Sequence, residues 1–354
     1  MRLPKILVLL ASAASVAFTA PAVQAQEKDT FRVGYVVYVG FMPLAYMRAE
    51  GIMDKWAEKY GIDVELIQIN DYVGSINQFI AGDLDAVAVA GMDALTMPAA
   101  GGVDTSVFLI TDYSDGNDML LSRSAESVED LLDSEVWLLQ YSVSHYLLNR
   151  ALDAAGITEP WRVKSVNISD AEIGAAYVTQ PTMEHVATWN PIATEMLNSV
   201  PESTVLFDSS QIPGEIMDVF IAKTDTLADN PDFPKAVTGA WYEAMATMQA
   251  GSDDMMDVMA SAMGTDVPGF QTQVDQTHFF YTPGDAAAFL DAESSIEIMD
   301  NVRTFSFDQG LFGQGASSVD AIGIEVGGTT LGSPDNVKLR FNSSFAKMGA
   351  AGEL

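Results

Sequence analysis

The chain has 354 residues, of which 49 are Asp or Glu and 17 are Lys or Arg, and its formal net charge is −32. This acidity excludes a nucleic-acid partner, because binding to the phosphate backbone needs a basic face. Cysteine is absent, which excludes disulfides, thiol catalysis and thiolate metal sites. His145, His185 and His278 lie far apart without ligand spacing, so no zinc or copper site is predicted.

The excess of carboxylates has two interpretations. It can keep the protein soluble, or suit a salty habitat, through a solvated acidic surface. The alternative is attraction of a cationic ligand. We favour the first for the overall charge and treat carboxylates inside a cleft as a separate question.

Residues 1–25 have the layout of a secretory signal peptide. Arg2 and Lys5 precede an apolar run, and a cleavage site ends at Ala25. The run is too short to span a bilayer, and a buried N-terminal helix is the alternative. No cysteine follows for lipid attachment, so we expect a periplasmic protein without a direct membrane anchor, from a Gram-negative source. Cleavage removes two positive charges and would take the formal charge from −32 to −34.

The first part of the mature chain alternates between strand and helix patterns. A buried strand is predicted over residues 31–37, a helical segment interrupted by Gly51 over 43–60, and a strand over 62–69. A short helix over 75–81 ends at Gly82, and a third strand covers 85–90. This order predicts a parallel sheet with right-handed crossovers.

A second run of the same kind lies between residues 136 and 207. Its strands are predicted over 136–139, 163–168, 185–189 and 205–207. Its helices are predicted over 142–155, 171–177 and 191–200, with Ser142 or Ser144 as the N-cap of the first. Two such sheets in one exported chain indicate two lobes that face a cleft.

The chain would cross between the lobes twice, at residues 107–112 with 119–122 and again at 217–222. Helices predicted over 233–248, 253–263, 270–276 and 285–305 follow and pack on the first lobe. The predicted organisation is a signal peptide (1–25), a discontinuous first lobe (30–112 plus 222–325), a second lobe (113–221) and a loosely ordered tail (326–354). The predicted fold class is therefore α/β, with two lobes and a ligand cleft between them.

The order of segments resembles the nitrate/sulfonate/taurine-type periplasmic receptors of ABC importers. Residues 37–43, the small-residue turn at 90–94 and the exported N-terminus carry this general similarity. A narrower similarity links the chain to the receptors of the urea- or guanidine-carboxylase-associated transporters. It rests on residues 68–73, 92–104, 142–148, 189–191 and 207–215.

The resemblance implies a two-lobed periplasmic binding protein of type II. It implies a monomer that captures a small nitrogen-rich compound, guanidine or urea, and delivers it transiently to a permease and its ATPase. It implies neither catalysis nor a cofactor. Composition and spacing by themselves do not identify the ligand.

A geometric rule selects the candidate ligand residues without the family, because ligands bind at the carboxyl ends of parallel strands. Gly40 would allow a close backbone approach there. Guanidinium is best bound by carboxylates in its plane and by aromatic rings on its faces, whereas urea also needs a donor to its carbonyl. The candidates are Tyr38, Phe41, Asp71, Tyr72, Asp93, Ser142, Trp189, Asn190, Glu215 and Asp218.

Each candidate also has a structural alternative. Asp71 and Asp93 are favourable N-caps for the helices that follow them. Trp189 can be a core residue at a strand end, and Glu215 and Asp218 can be hinge or surface groups.

Two rival functions remain open at this stage. The helix start at residues 142–144 presents free N–H groups, which suits a small anion or sulfonate such as nitrate, bicarbonate or taurine. No Arg or Lys is predicted at a strand's carboxyl end, which lowers this possibility. The other rival is a pyrimidine-precursor binding or synthesis enzyme of the same fold, although no nucleophile elbow or phosphate loop is present.

Overall fold

A computed structural model describes residues 28–354, so the predicted signal peptide lies outside the described residues. The described part contains fourteen strands, numbered in chain order. They are β1 (Thr30–Tyr35), β2 (Asp63–Gln68), β3 (Ala86–Ala90), β4 (Thr105–Ser114), β5 (Asp118–Ser122), β6 (Glu135–Leu138), β7 (Lys164–Asn167), β8 (His185–Trp189), β9 (Thr204–Asp208), β10 (Met217–Lys223), β11 (Thr277–Phe279), β12 (Gly323–Val326), β13 (Thr329–Leu331) and β14 (Val337–Phe341).

The same residues form fourteen α-helices. They are α1 (Pro43–Ala49), α2 (Ile52–Tyr60), α3 (Tyr72–Ala81), α4 (Gly91–Ala94), α5 (Val143–Ala154), α6 (Asp170–Thr179), α7 (Ile192–Ser199), α8 (Thr224–Asp229), α9 (Asp232–Gln249), α10 (Asp253–Met263), α11 (Val267–Asp275), α12 (Pro283–Leu290), α13 (Glu293–Asp308) and α14 (Ser344–Ala351). Gly51 separates α1 from α2 because its φ of 64° lies in the left-handed region, as expected from the sequence.

The strands form two sheets. The larger sheet has the order β13-β12-β14-β4-β10-β3-β1-β2, with β11 also paired to β4, and the smaller sheet has the order β7-β6-β8-β5-β9. In the larger sheet β1 runs parallel to β2 and β3, whereas β10 is antiparallel to β3 and β4. In the smaller sheet β6 is parallel to β7 and β8. Each sheet forms the centre of one lobe, and the lobe boundaries given above stay predictions.

The C-terminal segment of the chain is ordered, although the sequence predicted loose order there. Strand β14 pairs in parallel with both β12 and β4, so residues 337–341 extend the larger sheet, and helix α14 follows them. The expectation of a loosely ordered tail over 326–354 is therefore wrong. Gly327, Gly328 and Gly332 lie in the turns on either side of β13, and sheet pairing with β4 supplies order that no local pattern indicated.

The helix predicted over 285–305 is two helices. Ala292, with ψ of 150°, is extended and separates α12 from α13. The Ser295 hydroxyl donates a hydrogen bond to the Phe289 carbonyl across this break at 2.5 Å. No Gly or Pro marks the break, so the apolar spacing alone predicted one continuous helix.

Helices α2 and α9 pack closely at Gly239, and this contact supports a stability prediction. A Cβ atom at Gly239 would lie 2.3 Å from the Trp56 ring. We expect Gly239→Ala to lower the free energy of unfolding by about 1–3 kcal/mol, because the added methyl group overpacks the interface. Scanning calorimetry measures this as a lower Tm. Gly315→Ala is the control, since nothing lies within 4 Å of its Cβ, and equal Tm values for the two variants would contradict the prediction.

Candidate functional site

A small pocket lies between the two sheets, where ends of strands from both lobes meet. Its volume is about 30 Å³, measured as the space that the centre of a water molecule can occupy. This volume suits a ligand of only a few heavy atoms. We call it the inner pocket. It is lined by Val36, Tyr38, Phe41, Tyr72, Ala90, Asp118, Val143, Trp189, Ile216 and Asp218.

Aromatic rings form much of the wall. The Tyr38 and Phe41 rings meet edge to face with centroids 5.3 Å apart, and both follow β1. The Tyr72 and Trp189 rings meet in the same way at 5.9 Å. Tyr72 begins α3 beside the larger sheet and Trp189 ends β8 of the smaller sheet, so this second pair closes the pocket across the cleft.

Two carboxylates complete the lining. Asp118 begins β5 and Asp218 lies in β10, and both are buried. Asp112 of β4 lies directly opposite Asp218 in the β4–β10 register and is also buried. The Tyr38 hydroxyl donates a long hydrogen bond of 3.4 Å to Asp112 Oδ1. None of the ten described lining residues is Lys, Arg or His, so the inner pocket has acidic side chains without a basic one among them.

Burial dominates the titration of these carboxyls. It raises the pKa of Asp118 to about 6. Burial and then the neighbouring charges of Asp112 and Asp118 raise the pKa of Asp218 well above its usual value. The pKa of Asp112 is raised by burial as well, against hydrogen bonds that lower it. Together, these three carboxyl groups therefore retain protons near neutral pH. A cation in the pocket would favour their ionised, carboxylate forms.

Gly40 has a different role from the expected one. A Cβ atom there would lie 2.2 Å from Asp112 Oδ2, so any side chain would displace this carboxylate. Glycine is required at this position because the backbone passes close to Asp112, which lies behind the pocket wall. A contact with a ligand is not the reason.

A second, larger space adjoins the inner pocket, and we call it the outer cavity. Its volume, measured in the same way, is about 440 Å³. Its lining is Tyr72, Val73, Asp93, Thr96, Met97, Leu139, Gln140, Tyr141, Ser142, Asn167 and Leu311. Tyr72 lines both spaces, so the two are adjacent.

Five of the ten predicted ligand residues line the inner pocket, namely Tyr38, Phe41, Tyr72, Trp189 and Asp218. Asp93 and Ser142 line the outer cavity instead. The Ser142 hydroxyl is also the N-cap of α5, where it accepts a hydrogen bond from Ser144 N at 3.2 Å.

The remaining three candidates line neither space. Asp71 is exposed and caps α3 through a 2.5 Å hydrogen bond from Gly74 N. Glu215 accepts hydrogen bonds from Arg150 Nε at 2.7 Å and from the Tyr146 hydroxyl at 2.5 Å. The cap made by Asp71 is the structural alternative that the sequence offered for it, whereas Glu215 lies in a partly buried ion pair.

Asn190 is buried in a hydrogen-bond network. Its side-chain amide donates to Asn117 Oδ1 at 2.9 Å and to Gln276 Oε1 at 3.1 Å, and its Oδ1 accepts from Thr194 N at 3.0 Å. The Asn117 amide donates in turn to the Gln276 carbonyl at 2.6 Å. This network connects β8 to the end of α11.

Sequence reasoning missed Asp112 and Asp118 as site residues. The sequence signal that could have indicated them is an acidic residue at the end of an otherwise apolar strand segment, near the first predicted crossing between the lobes. That signal is not specific, since the sequence contains 49 acidic residues.

Within residues 28–354, no group of three or more His, Asp and Glu side chains is arranged to hold a metal ion. In the same range no helix combines the length and apolar character needed to cross a membrane.

Comparison with known proteins identifies the family. Residues 24–264 match the NMT1-like family, and the protein belongs to it. A relative from Brucella abortus (strain 2308), provisionally named a binding protein, is 24% identical over 256 residues, which are 72% of this chain and 77% of the relative.

Solved structures share the fold. The periplasmic aliphatic sulphonate binding protein SsuA from Escherichia coli has a TM-score of 0.63 at 18% identity, over 79% of this chain and 88% of that chain. The periplasmic nitrate-binding protein NrtA from Synechocystis PCC 6803 has a TM-score of 0.57 at 12% identity, over 93% of this chain and 99% of that chain. The predicted α/β fold of a two-lobed periplasmic binding protein is therefore confirmed.

Proposed function

We propose that this protein is the periplasmic solute-binding component of an ABC importer and that it captures guanidinium, with urea as the alternative ligand. The two-lobed fold and the binding-protein names of its neighbours support the receptor role. The protein would deliver its ligand to a membrane permease as a freely diffusing monomer.

The acidic side chains of the inner pocket are the reason that we propose guanidinium rather than urea. Asp118 and Asp218 line it, and no Lys, Arg or His is among its described lining residues. Burying a carboxylate without a counter-charge is costly, so a cationic ligand is the natural partner. Guanidinium supplies N–H donors in its plane for the carboxylates and flat faces for Tyr38, Tyr72 or Trp189.

Urea fits the same space less well. It is neutral, so Asp118 and Asp218 would have to keep their protons to avoid buried negative charge. The pocket size suits both compounds, and the distinction rests on charge alone.

An anion receptor is the second candidate function. Two solved structures that share the fold are named as sulphonate-binding and nitrate-binding proteins, which favours this function. The N-terminus of α5 at the outer cavity favours it too, because its backbone N–H groups suit an anion. The buried carboxylates oppose it, because an anion in the inner pocket would meet like charges.

The position of the carboxylates suggests how binding would close the lobes. Asp118 lies at the first predicted crossing and Asp218 within the second. The Ser114 and Ser209 hydroxyls form a 2.7 Å hydrogen bond between the chain segments that precede β5 and β10. A cation held there, with Trp189 over it from the smaller sheet, would favour the closed state. Small-angle scattering should show compaction at saturating ligand, and an unchanged radius of gyration would contradict hinge closure.

Calorimetric titration of the purified protein tests the ligand proposal. We expect guanidinium and methylguanidinium to bind most tightly, urea more weakly, and nitrate, bicarbonate and taurine not at all. Tight binding of an anion without binding of guanidinium would replace the proposal by the anion receptor. Release of ammonia from guanidinium or urea would contradict the receptor role.

A further inference from the structure

The outer cavity contains a buried carboxylate that the fold leaves incompletely paired. Asp93 is 1% exposed, and its Oδ2 accepts a 2.7 Å hydrogen bond from the Tyr72 hydroxyl. Its other oxygen, Oδ1, has no hydrogen-bond partner within the described residues. A buried acceptor without a donor is unfavourable, so this oxygen is available to an N–H group from outside the chain.

The rest of the cavity supports a hydrogen-bonding, cationic occupant. The Thr96 hydroxyl is also buried without a partner among the described residues and lines the same space. None of the described residues that line the outer cavity is Lys, Arg or His. A positive group there would therefore meet Asp93 without competition from a protein cation.

The inner pocket and the outer cavity share one lining residue, Tyr72. The Tyr72 hydroxyl accepts a 3.0 Å hydrogen bond from Ala90 N while it donates to Asp93. Its ring lines both spaces. A ligand that extends from the inner pocket to Asp93 would therefore run beside Tyr72.

We propose that the outer cavity is a second subsite, which binds a positively charged N–H donor joined by a short chain to the cation in the inner pocket, with Asp93 as its carboxylate. The inference rests on the proposed function. It makes the ligand class an aminoalkyl-substituted guanidine rather than guanidinium alone.

Three matched compounds test the subsite by calorimetry. They are 4-aminobutylguanidine, pentylguanidine and 5-guanidinopentanoate, which share a guanidinium head and a four-methylene chain and end in an ammonium, a methyl and a carboxylate group. We expect the ammonium compound to bind about tenfold or more tightly than the methyl compound, as one charge-assisted hydrogen bond contributes. The carboxylate compound should bind more weakly than both.

Asp93→Asn is the decisive variant, because it keeps the size of the side chain and an acceptor for Tyr72. It should abolish the advantage of the ammonium over the methyl compound. Asp115→Asn, in the turn before β5 and outside both spaces, is the control and should keep the advantage. Unchanged Tm values would show that both variants fold.

Other outcomes separate this proposal from the proposed function. Guanidinium binding without any gain from the ammonium group overturns the subsite and leaves the receptor proposal in place. A gain from the carboxylate compound also overturns it, and assigns the cavity to an anion at the start of α5. If no guanidinium compound binds, both proposals fail.

Discussion

Asp118→Asn is expected to weaken guanidinium binding by about 2–5 kcal/mol, the usual cost of removing one partner from a buried charge pair. This corresponds to a roughly thirtyfold or larger increase in Kd. Urea should lose less than about tenfold, because a neutral ligand needs an acceptor but no counter-charge. Calorimetric titration of both ligands against both proteins measures the difference.

The design separates charge from packing. Asparagine has the shape of aspartate, and the carboxyl it replaces is buried with a raised pKa, so the variant should fold with an unchanged or higher Tm. Asp115→Asn, three residues earlier and outside the inner pocket, is the matched control and should bind guanidinium as the unsubstituted protein does. Equal losses for urea and guanidinium would mean that Asp118 acts through packing, and an unchanged guanidinium Kd would exclude it as the counter-charge.

The stability of the ligand-free protein is expected to fall as the pH rises from about 4 to about 7. Burial raises the pKa of Asp118 to about 6 and that of Asp93 to about 7, from 3.8. The folded state therefore binds more protons than the unfolded state in this range, and stability decreases with pH. Asp118 alone would account for about 3 kcal/mol, since each pKa unit corresponds to about 1.4 kcal/mol.

A bound cation should reverse this trend, because it favours the ionised carboxylates. The rise in Tm caused by guanidinium should therefore grow with pH over the same range. Thermal unfolding at several pH values, with and without ligand, measures both effects. Asp112→Asn should reduce the pH dependence of the ligand-free protein, whereas Asp115→Asn should not. A Tm that is independent of pH in all three proteins would show that these carboxyls titrate normally.

The order of strands and helices could be predicted because it depends on local signals. Gly51 ends one helix through its left-handed backbone, and Asp71 and Ser142 cap the helices that follow them. The aromatic wall could be predicted as well, because residues at the carboxyl ends of neighbouring strands meet at one edge of a sheet. Tyr38, Tyr72 and Trp189 were found in this way.

The sequence by itself therefore determined the two-lobed α/β architecture, whereas the ligand site at the strand ends stays a prediction. Only the tertiary structure decided which acidic side chains meet there, since Asp112 and Asp218 come together through the pairing of β4 with β10. It also placed Asp118 in the pocket and Asn190 in a buried hydrogen-bond network. The physical reason is that burial and mutual charge determine what a carboxylate does, and both depend on neighbours that are distant in the chain.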